Sequence, residues 1–404
     1  MKGKIALAIL FALSASSAFA AGSQPVAVYT FTCNGSPQQR IGPCPQGADP
    51  YFVLQGSDGN FYGNTQASSQ GESHNGETVF SVTPAGKITI LHKFLPDADN
   101  KYDRGNNPGL LIEGSDGMLY GTTLYGGIDL GIGDGTMFRI NKDGSGFQVV
   151  HKFCSKPNCA DGVGPQSLVI GTDGNIYGVT FGGGTGCSGG DCGTIFRITA
   201  FSGKYRVVFD FNGTTDGYEP TNLMLGPNGS LYGNSGHLFE YTPSTGYFQI
   251  LPVNFPELTG GAVSVVGPNG NLYGLYGVYG EDGVGLFEVE PDGSNLQLFP
   301  FYNTLPAAGT PDGLILASDG NFWLADFHGS NAYGDIISLS PSDGTVLRTF
   351  TPFNTGSAVG AYPAGIIQAK SGTLWGSTGD FGNYTSGHFA AGTVFKLNAG
   401  LPPR

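Results

Sequence analysis

Histidine and carboxylate side chains in three neighbouring loops are the groups of this chain best suited to acid–base or metal chemistry. They fall in the sixth, seventh and first of seven sequence repeats, which become consecutive if the repeats close into a ring. The histidines are His328, His388 and His74, and the nearby carboxylates are Asp326, Asp380 and Glu72. Imidazole and carboxylate groups together bind divalent cations or transfer protons. Because loop spacing sets no geometry, ordinary solvated loop residues are the competing interpretation.

A second set of candidate ligands lies in the segment DADNKYD at 97–103. Asp97, Asp99 and Asp103 offer carboxylate oxygens on one loop, and calcium prefers such ligands. The EF-hand pattern also requires glycine at its sixth position and glutamate at its twelfth, where this chain has Tyr102 and Pro108. A solvated loop therefore competes with a Ca²⁺ site, and no other cofactor is predicted.

Aromatic residues are frequent in the loops that connect predicted strands two and three of each repeat. Sugars stack on exposed aromatic rings, and loops on a rigid scaffold commonly carry binding residues. The candidate ligand-binding residues are Tyr125, Phe181, Tyr276, Tyr279, Phe327 and Phe381. The partner predicted from them is a glycan or an extracytoplasmic protein.

The six cysteines form three pairs that are close in sequence. The pairs are Cys33/Cys44, Cys154/Cys159 and Cys187/Cys192. An even number of cysteines in an exported chain predicts disulfides, each of which would close one loop. A four-sulfur metal site formed by the last two pairs is the alternative, although the CxxxxC spacing is looser than the CxxC of most zinc sites.

The first twenty residues have the organisation of a Sec signal peptide. Lys2 and Lys4 precede an apolar segment, and Ala-Phe-Ala precedes a predicted cleavage after Ala20. Loss of both lysines takes the formal charge from −13 to −15, which disfavours nucleic acid and anionic membrane surfaces as partners. No later apolar stretch is long enough for a membrane span. We therefore predict a monomer that is secreted or periplasmic.

One short phrase, Asp/Asn-Gly-x-apolar-aromatic, recurs along the chain and identifies the elements that must position these side chains. Its copies are DGNFY (58–62), DGMLY (116–120), DGNIY (173–177), NGSLY (228–232), NGNLY (269–273), DGNFW (319–323) and, with serine first, SGTLW (371–375). Copies roughly 50 residues apart are typical of four-stranded propeller blades. Short runs of Val, Ile, Phe, Tyr and Thr between turn residues predict four strands in each repeat.

The last repeat lacks a fourth strand, and AVYTFT (27–32) supplies the missing sequence. We therefore predict an all-β fold, a seven-bladed β-propeller of four-stranded blades in which 27–32 pairs with TVFKL at 393–397. Such a ring leaves no unpaired sheet edge between its first and last segments. The predicted organisation is a signal peptide at 1–20, one propeller domain at 21–400 and a tail at 401–404. A linear β-solenoid is the alternative fold.

Several residues of the repeats are predicted to be structural. His92 and His151 occur in the fourth-strand sequence HKF, and the aromatic residues of the seven phrases are predicted to pack between blades. Glycine follows six of these aromatic residues, and a missing side chain allows a neighbouring group to approach closely. Leu324 takes that position in the sixth repeat.

The repeat unit P-x-x-x-L-x-x-G-x-DG-x-LYG-x-T, followed by GG, GT-x-F-x-I and VLHxF, resembles the GloVer-type tandem repeat of exported bacterial proteins. Its best copy is 108–153, which contains PGLLIEGSDGMLYGTT, GGIDLGIGDGTMFRI and FQVVHKF. The resemblance is strong in repeats one to three and seven and weak in repeats four to six. It implies an exported, propeller-like protein and no known catalytic residue.

No GxSxG, Walker, HExxH or Rossmann fingerprint occurs in a suitable setting. The sequence therefore favours a non-enzymatic binding scaffold for a glycan or a protein. The phrase with tryptophan, at Trp323 and Trp375, is also similar to that of streptogramin-lyase-like propellers, which implies a metal-assisted lyase or lactonase as the alternative. A structural surface or matrix protein is the second alternative.

Overall fold

Seven antiparallel four-stranded sheets form the protein in a computed structural model. It describes residues 24–34, 44–66, 77–95, 106–127, 134–187, 192–253, 258–278, 284–300, 312–326, 333–354, 357–380 and 388–404. The first strand of the chain is β1 (Val26–Asn34). Blade 1 contains β2 (Pro50–Gln55), β3 (Phe61–Thr65), β4 (Thr78–Val82) and β5 (Ile88–Lys93). Blade 2 contains β6 (Asn106–Glu113), β7 (Leu119–Tyr125), β8 (Thr136–Ile140) and β9 (Gln148–Lys152). Blade 3 contains β10 (Val163–Ile170), β11 (Ile176–Gly182), β12 (Thr194–Ile198) and β13 (Tyr205–Asp210).

The remaining blades repeat this arrangement. Blade 4 contains β14 (Asn222–Leu225), β15 (Leu231–Asn234), β16 (Leu238–Thr242) and β17 (Tyr247–Ile250). Blade 5 contains β18 (Leu258–Val266), β19 (Leu272–Val278), β20 (Val284–Val289) and β21 (Gln297–Pro300). Blade 6 contains β22 (Asp312–Leu316), β23 (Phe322–Asp326), β24 (Asp335–Leu339) and β25 (Val346–Phe350). Blade 7 contains β26 (Ala361–Gln368), β27 (Leu374–Asp380), β28 (His388–Leu397) and β1.

The ring closes as the sequence predicted. Strand β1 pairs with β28 in antiparallel register, with Ala27 opposite Phe395 and Thr30 opposite Thr393. The first strands of the blades contact one another in order, and β26 also contacts β2. They therefore form a closed inner ring, and the fourth strand of each sheet lies outermost. The described residues contain one 3₁₀ turn, Pro157–Cys159, and no α-helix.

The recurring phrase forms the turn between the first and second strands and buries its aromatic residue. The Tyr62 hydroxyl donates to the Asp58 carboxylate at 2.7 Å, and the same carboxylate accepts the Asn60 N–H at 3.2 Å. A Cβ atom on Gly56 would lie 2.7 Å from the Tyr62 ring, so this position has room for glycine alone. Equivalent hydrogen-bonded pairs are Asp116–Tyr120, Asp173–Tyr177, Asn228–Tyr232 and Asn269–Tyr273. The anchor aromatics are thus confirmed as packing residues.

The glycine after the anchor makes room for a ring rather than only for backbone. A Cβ on Gly121 would lie 2.5 Å from the Phe138 ring of the third strand. Gly178, Gly233 and Gly376 have the same relation to Phe196, Phe239 and Phe395. In blade 6, Leu324 lies opposite Ile337 instead. The glycine and the phenylalanine are therefore one packing unit, which blade 6 replaces with two aliphatic side chains.

Stacked rings join the outer strands of neighbouring blades. His92 stacks on Phe147 with ring centroids 3.6 Å apart, and His151 stacks on Tyr205 at 3.5 Å. Phe209 takes the same place in blade 3 and stacks on a phenylalanine of blade 4 at 3.9 Å. A planar ring is the common requirement at this position. This packing confirms that His92 and His151 are structural.

The two faces of the ring differ in their connections. The turns between first and second strands all contain five residues, as in 56–60 and 369–373. The connections between second and third strands vary from 66–77 in blade 1 to 235–237 in blade 4. We call the side with the uniform turns the turn face. The side with the strand two–three connections and the connections between blades is the loop face.

All six cysteines form the disulfides that the sequence predicted. They are Cys33–Cys44, Cys154–Cys159 and Cys187–Cys192. The alternative of a four-sulfur metal site is therefore wrong, because each sulfur is bonded to another. No helix in the part of the chain that the structure describes has the length and apolarity needed to cross a bilayer.

Residues 398–404 pack across the turns of blades 6 and 7. Leu401 is buried in the apolar cluster between these blades. The Ser318 hydroxyl donates to the Pro402 carbonyl at 2.6 Å, and the Arg404 Nε donates to Gln368 at 2.9 Å. Residues 401–404, which the sequence assigned to a tail, therefore contact two blades.

Candidate functional site

Strained residues lie at the inner rim of the loop face in blades 1, 2, 4 and 7. Asp49, Asn107, Glu219 and Tyr362 each precede a proline at the start of a first strand, and their φ angles lie between 49° and 59°. Residues other than glycine seldom adopt this left-handed conformation, and strained backbone is concentrated at functional sites. The inner rim of the loop face is therefore a candidate location for a functional site.

Contacts between blades hold this strained backbone in place. The Glu219 N–H donates to the Cys192 carbonyl at 3.1 Å, and the Tyr362 N–H donates to the Tyr333 carbonyl at 2.7 Å. In three of these cases the proline that follows packs on a glycine of the preceding blade, and Pro165, which follows Gly164, packs in the same way. These glycine–proline pairs are Gly135–Pro165, Gly193–Pro220, Gly334–Pro363 and Gly392–Pro50. The rim is consequently rigid, and the last pair shows that the ring closes here too.

Blade 1 departs from this pattern in a way that places a carboxylate inside the rim. Glu77 directly precedes Thr78, and at the equivalent position four other blades have the glycine of the glycine–proline pair. Its side chain is 3% exposed, and its Oε2 has no hydrogen-bond partner in the described part of the chain. Burial raises the pKa of Glu77 to about 7, although the Asn107 N–H partly offsets that effect. The group can therefore exchange a proton near neutral pH.

A second carboxylate cluster lies between blades 2 and 3. Asp161 is fully buried, accepts hydrogen bonds from Ser155 and from the Lys156 N–H, and has a carboxylate oxygen 3.2 Å from His151 Nε2. Burial opposes its charge, but these bonds outweigh burial and lower the pKa of Asp161 to about 2. Desolvation and the nearby Asp161 charge raise the pKa of Asp134. Since the Ser155 hydroxyl donates to the Asp161 carboxylate and not to the imidazole, we assign the cluster to holding the Cys154–Cys159 loop.

Blade 6 carries an aspartate pair where other blades carry threonines. In four blades, two threonines face each other across strands two and three, with hydroxyl oxygens 2.8–2.9 Å apart; they are Thr65/Thr78, Thr123/Thr136, Thr180/Thr194 and Thr378/Thr393. The equivalent residues of blade 6 are Asp326 and Asp335, which are 2% and 1% exposed. Like charges directly opposite each other destabilise a sheet. Blade 6 therefore has two acidic side chains where those four blades have a neutral threonine pair.

Two exposed aromatic side chains lie on the loop face between blades 3 and 4. Phe181 is 43% exposed near the end of β11, and Tyr218 is 55% exposed in the connection from β13 to β14. A Cβ on Gly193 would touch both the Phe181 carbonyl oxygen, at 3.0 Å, and the Pro220 ring, at 2.5 Å. The backbone segments that carry the two rings therefore meet at Gly193.

The predicted site residues have different outcomes. His74, His328, Asp97, Asp99, Asp103, Tyr279, Phe327 and Phe381 lie outside the described residues, as does Glu72. His388 begins β28 and Asp380 ends β27. Phe181 lies within β11 and is exposed on the loop face, and Tyr125 is half-buried at the end of β7. The expected loop position of Tyr276 is wrong: it lies within β19, is 3% exposed and packs in the core between blades 4 and 5.

Sequence reasoning missed Glu77 and Tyr218. The signal for Glu77 was the replacement of glycine directly before a third strand, which is visible by comparing the repeats. Tyr218 had no periodic signal, because the connections between blades vary in length. Within the described ranges, no three His, Cys, Asp or Glu residues are arranged to hold a metal ion.

Comparison with protein families identifies the family of the chain. The Gloeobacter/Verrucomicrobia repeat matches residues 49–261, more than half of the 404 residues. The chain belongs to this repeat family. The match spans blades 1 to 4 and enters β18, so the copy in repeat seven, which the sequence ranked among the strong ones, lies beyond it. Comparison with curated proteins found no match.

Solved structures of several other proteins have a similar fold. A Lactobacillus plantarum protein covers 86% of this chain and 99% of its own, with 13% identity and a TM-score of 0.55. An oligogalacturonate lyase in complex with manganese covers 87% and 96%, with 12% identity and a TM-score of 0.51. PorZ, a surface component of the type-IX secretion system of Porphyromonas gingivalis, has 14% identity and a TM-score of 0.53; the match covers 91% of this chain and 48% of PorZ. At these identities the likeness concerns the fold alone.

Proposed function

We propose that this member of the repeat family is an exported binding scaffold whose loop face recognises a glycan or an extracytoplasmic protein. The contrast between the two faces of the ring carries this proposal. The turn face repeats one five-residue turn seven times, whereas the loop face has connections of different lengths on a rigid, strained rim. Variable loops on a rigid scaffold are the usual location of binding residues.

Export is part of the proposal. The three disulfides are typical of proteins outside the cytoplasm. The predicted signal peptide at 1–20 supplies a route, and the mature chain then begins near the closing strand β1. Mass spectrometry of the purified mature protein is expected to show cleavage after Ala20 and no free thiol. An intact N-terminus in the cytoplasmic fraction would contradict export.

The binding function is tested with the mature, oxidised chain. We expect a hit on a glycan array, or capture of a defined extracytoplasmic protein whose binding is lost when loop-face residues are changed and retained when turn-face residues are changed. Binding that is abolished only by turn-face substitutions would place the site on the turn face and contradict the proposal. Absence of any glycan or protein ligand would overturn the proposal.

A metal-assisted lyase or lactonase stays the alternative prediction. Its candidate residues His74 and His328 lie outside the described residues. Turnover of a lactone or an unsaturated product that disappears in a variant with both His328 and His388 replaced by alanine would favour the enzyme over the binding scaffold. Unchanged turnover in that variant would remove these histidines from any mechanism.

A further inference from the structure

We propose that Phe181 and Tyr218 form a stacking platform for a neutral glycan, at the boundary of blades 3 and 4 on the loop face. This inference rests on the proposed binding function and specifies its sector and its ligand class. The platform consists of the two aromatic rings and the backbone that joins them at Gly193.

Strand alternation directs Phe181 toward blade 4. Successive side chains of a strand point to opposite faces. Thr180 faces the connection that leads from blade 2, because a Cβ on Gly162 would lie 2.6 Å from its side chain. Tyr177 and Val179 face the other way and pack with residues of blade 4 in one apolar cluster. Phe181 continues their row and emerges at the loop face, where 43% of its surface stays exposed.

The segment that carries Tyr218 is held rigidly beside this row. The Tyr218 N–H donates to the Ser235 carbonyl at 2.9 Å, and the next two residues form one of the strained residue–proline pairs of the rim. The connection from β13 to β14, which carries Tyr218, also packs on the Cys187–Cys192 disulfide. A Cβ on Gly213 of this connection would lie 2.6 Å from the Cys192 sulfur. Two exposed rings on fixed backbone offer apolar surface that needs little ordering on binding.

The charges around the rings select the class of ligand. Asp216 and Glu219 flank Tyr218 in the sequence, and the Glu219 carboxylate is half-buried with no hydrogen bond to the described residues. Such carboxylates accept hydrogen bonds from sugar hydroxyls and repel acidic sugars. The formal charge of −13 acts in the same direction. An uncharged oligosaccharide, with apolar ring faces and many hydroxyl donors, fits this surface better than a uronic-acid polymer.

Calorimetric titration with hexamers of glucose, mannose and N-acetylglucosamine, and with a hexamer of galacturonate, tests the platform. At least one neutral hexamer is expected to bind the mature chain. Phe181→Ala and Tyr218→Ala are each expected to weaken that binding at least tenfold, about 1.4 kcal/mol. The matched controls are Phe201→Ala and Tyr247→Ala, which remove aromatic side chains 71% and 55% exposed on the turn-face side. These controls are expected to change affinity less than twofold.

The possible results distinguish failure of the platform from failure of the proposed binding function. Neutral-glycan affinity that survives in the double variant Phe181→Ala/Tyr218→Ala would overturn the platform while leaving the binding scaffold intact. Tighter binding of the galacturonate hexamer would overturn the inferred ligand class. A protein ligand without any glycan would overturn the platform and support the scaffold. Binding of neither class would overturn both. Because both side chains are exposed, equal thermal midpoints of variants and wild type serve as the folding check.

Discussion

Replacing Glu77 with glutamine is expected to stabilise the propeller at alkaline pH and to flatten the pH dependence of its stability. The pKa of Glu77 is raised from 4.5 to about 7 by burial. The folded state therefore binds the proton more tightly than the unfolded chain does. The stabilisation that comes from protonated Glu77 is complete below pH 4.5 and is lost as the pH rises through 7. The loss amounts to about 1.4 kcal/mol per pH unit across this interval, or roughly 3 kcal/mol in total.

The variant keeps the local hydrogen bond while removing the charge. A glutamine oxygen can still accept the Asn107 N–H, and its amide has no charge to desolvate. We expect Glu77→Gln and wild type to have similar free energies of unfolding at pH 4.5. At pH 8 the variant is expected to be more stable by roughly 3 kcal/mol. Parallel curves for the two proteins between pH 4.5 and 8 would refute the reasoning, because they would show that Glu77 does not titrate in that interval.

Urea unfolding at successive pH values measures this difference. The fluorescence of Trp323 and Trp375 reports unfolding, since both side chains are buried. The matched control is Glu113→Gln. Burial alone would raise the pKa of Glu113, but hydrogen bonds from Lys142 and Ser57 hold it below its usual value. Glu113→Gln is therefore expected to have the opposite effect to Glu77→Gln and to lower the free energy of unfolding at neutral pH.

Three further variants test the packing. Replacing Asp326 and Asp335 together by threonine restores the pair found in four other blades, and is expected to raise Tm; a fall in Tm would show that the aspartates stabilise blade 6. Tyr120→Phe is expected to lower the free energy of unfolding in urea by about 1 kcal/mol, because the hydrogen bond to Asp116 is lost. In an Asp116→Ala background the same substitution is expected to have no further effect, and additive losses would contradict this coupling. Leu401→Ala is expected to cost about 2–4 kcal/mol because the side chain is buried, and an unchanged unfolding midpoint would show that the 398–404 segment does not stabilise the blades.

The fold was predictable because its determinants repeat. The bond between Asp116 and Tyr120 and the room that Gly121 leaves for Phe138 recur with little change, so their residues recur in the sequence. The closing strand was found for the same reason, since Tyr29 and Phe31 follow the fourth-strand pattern. Such features depend on residues close in sequence and on periodic burial.

The candidate site was less predictable because it depends on what differs between repeats. Tyr276 was expected in a loop, but β19 extends to Val278 and the ring fills space above a small residue of the third strand, Gly285. Tyr218 becomes part of a surface only when two connections from different blades meet at Gly193. The burial of Glu77 likewise arises from the neighbouring blade. The pattern of a single sequence does not show which segments of different blades come into contact.

The partnership between β1 and β28 sets a limit on the order of folding. Val26 pairs with Lys396, so β1 is synthesised long before its partner strand β28. Blades 1 to 6 can each assemble from contiguous sequence as they emerge, whereas the seventh must wait for β28. Until then β1 is an unpaired edge open to wrong partners. A chain released before β28 would therefore keep six of its sheets and leave the seventh, at which the ring closes, incomplete.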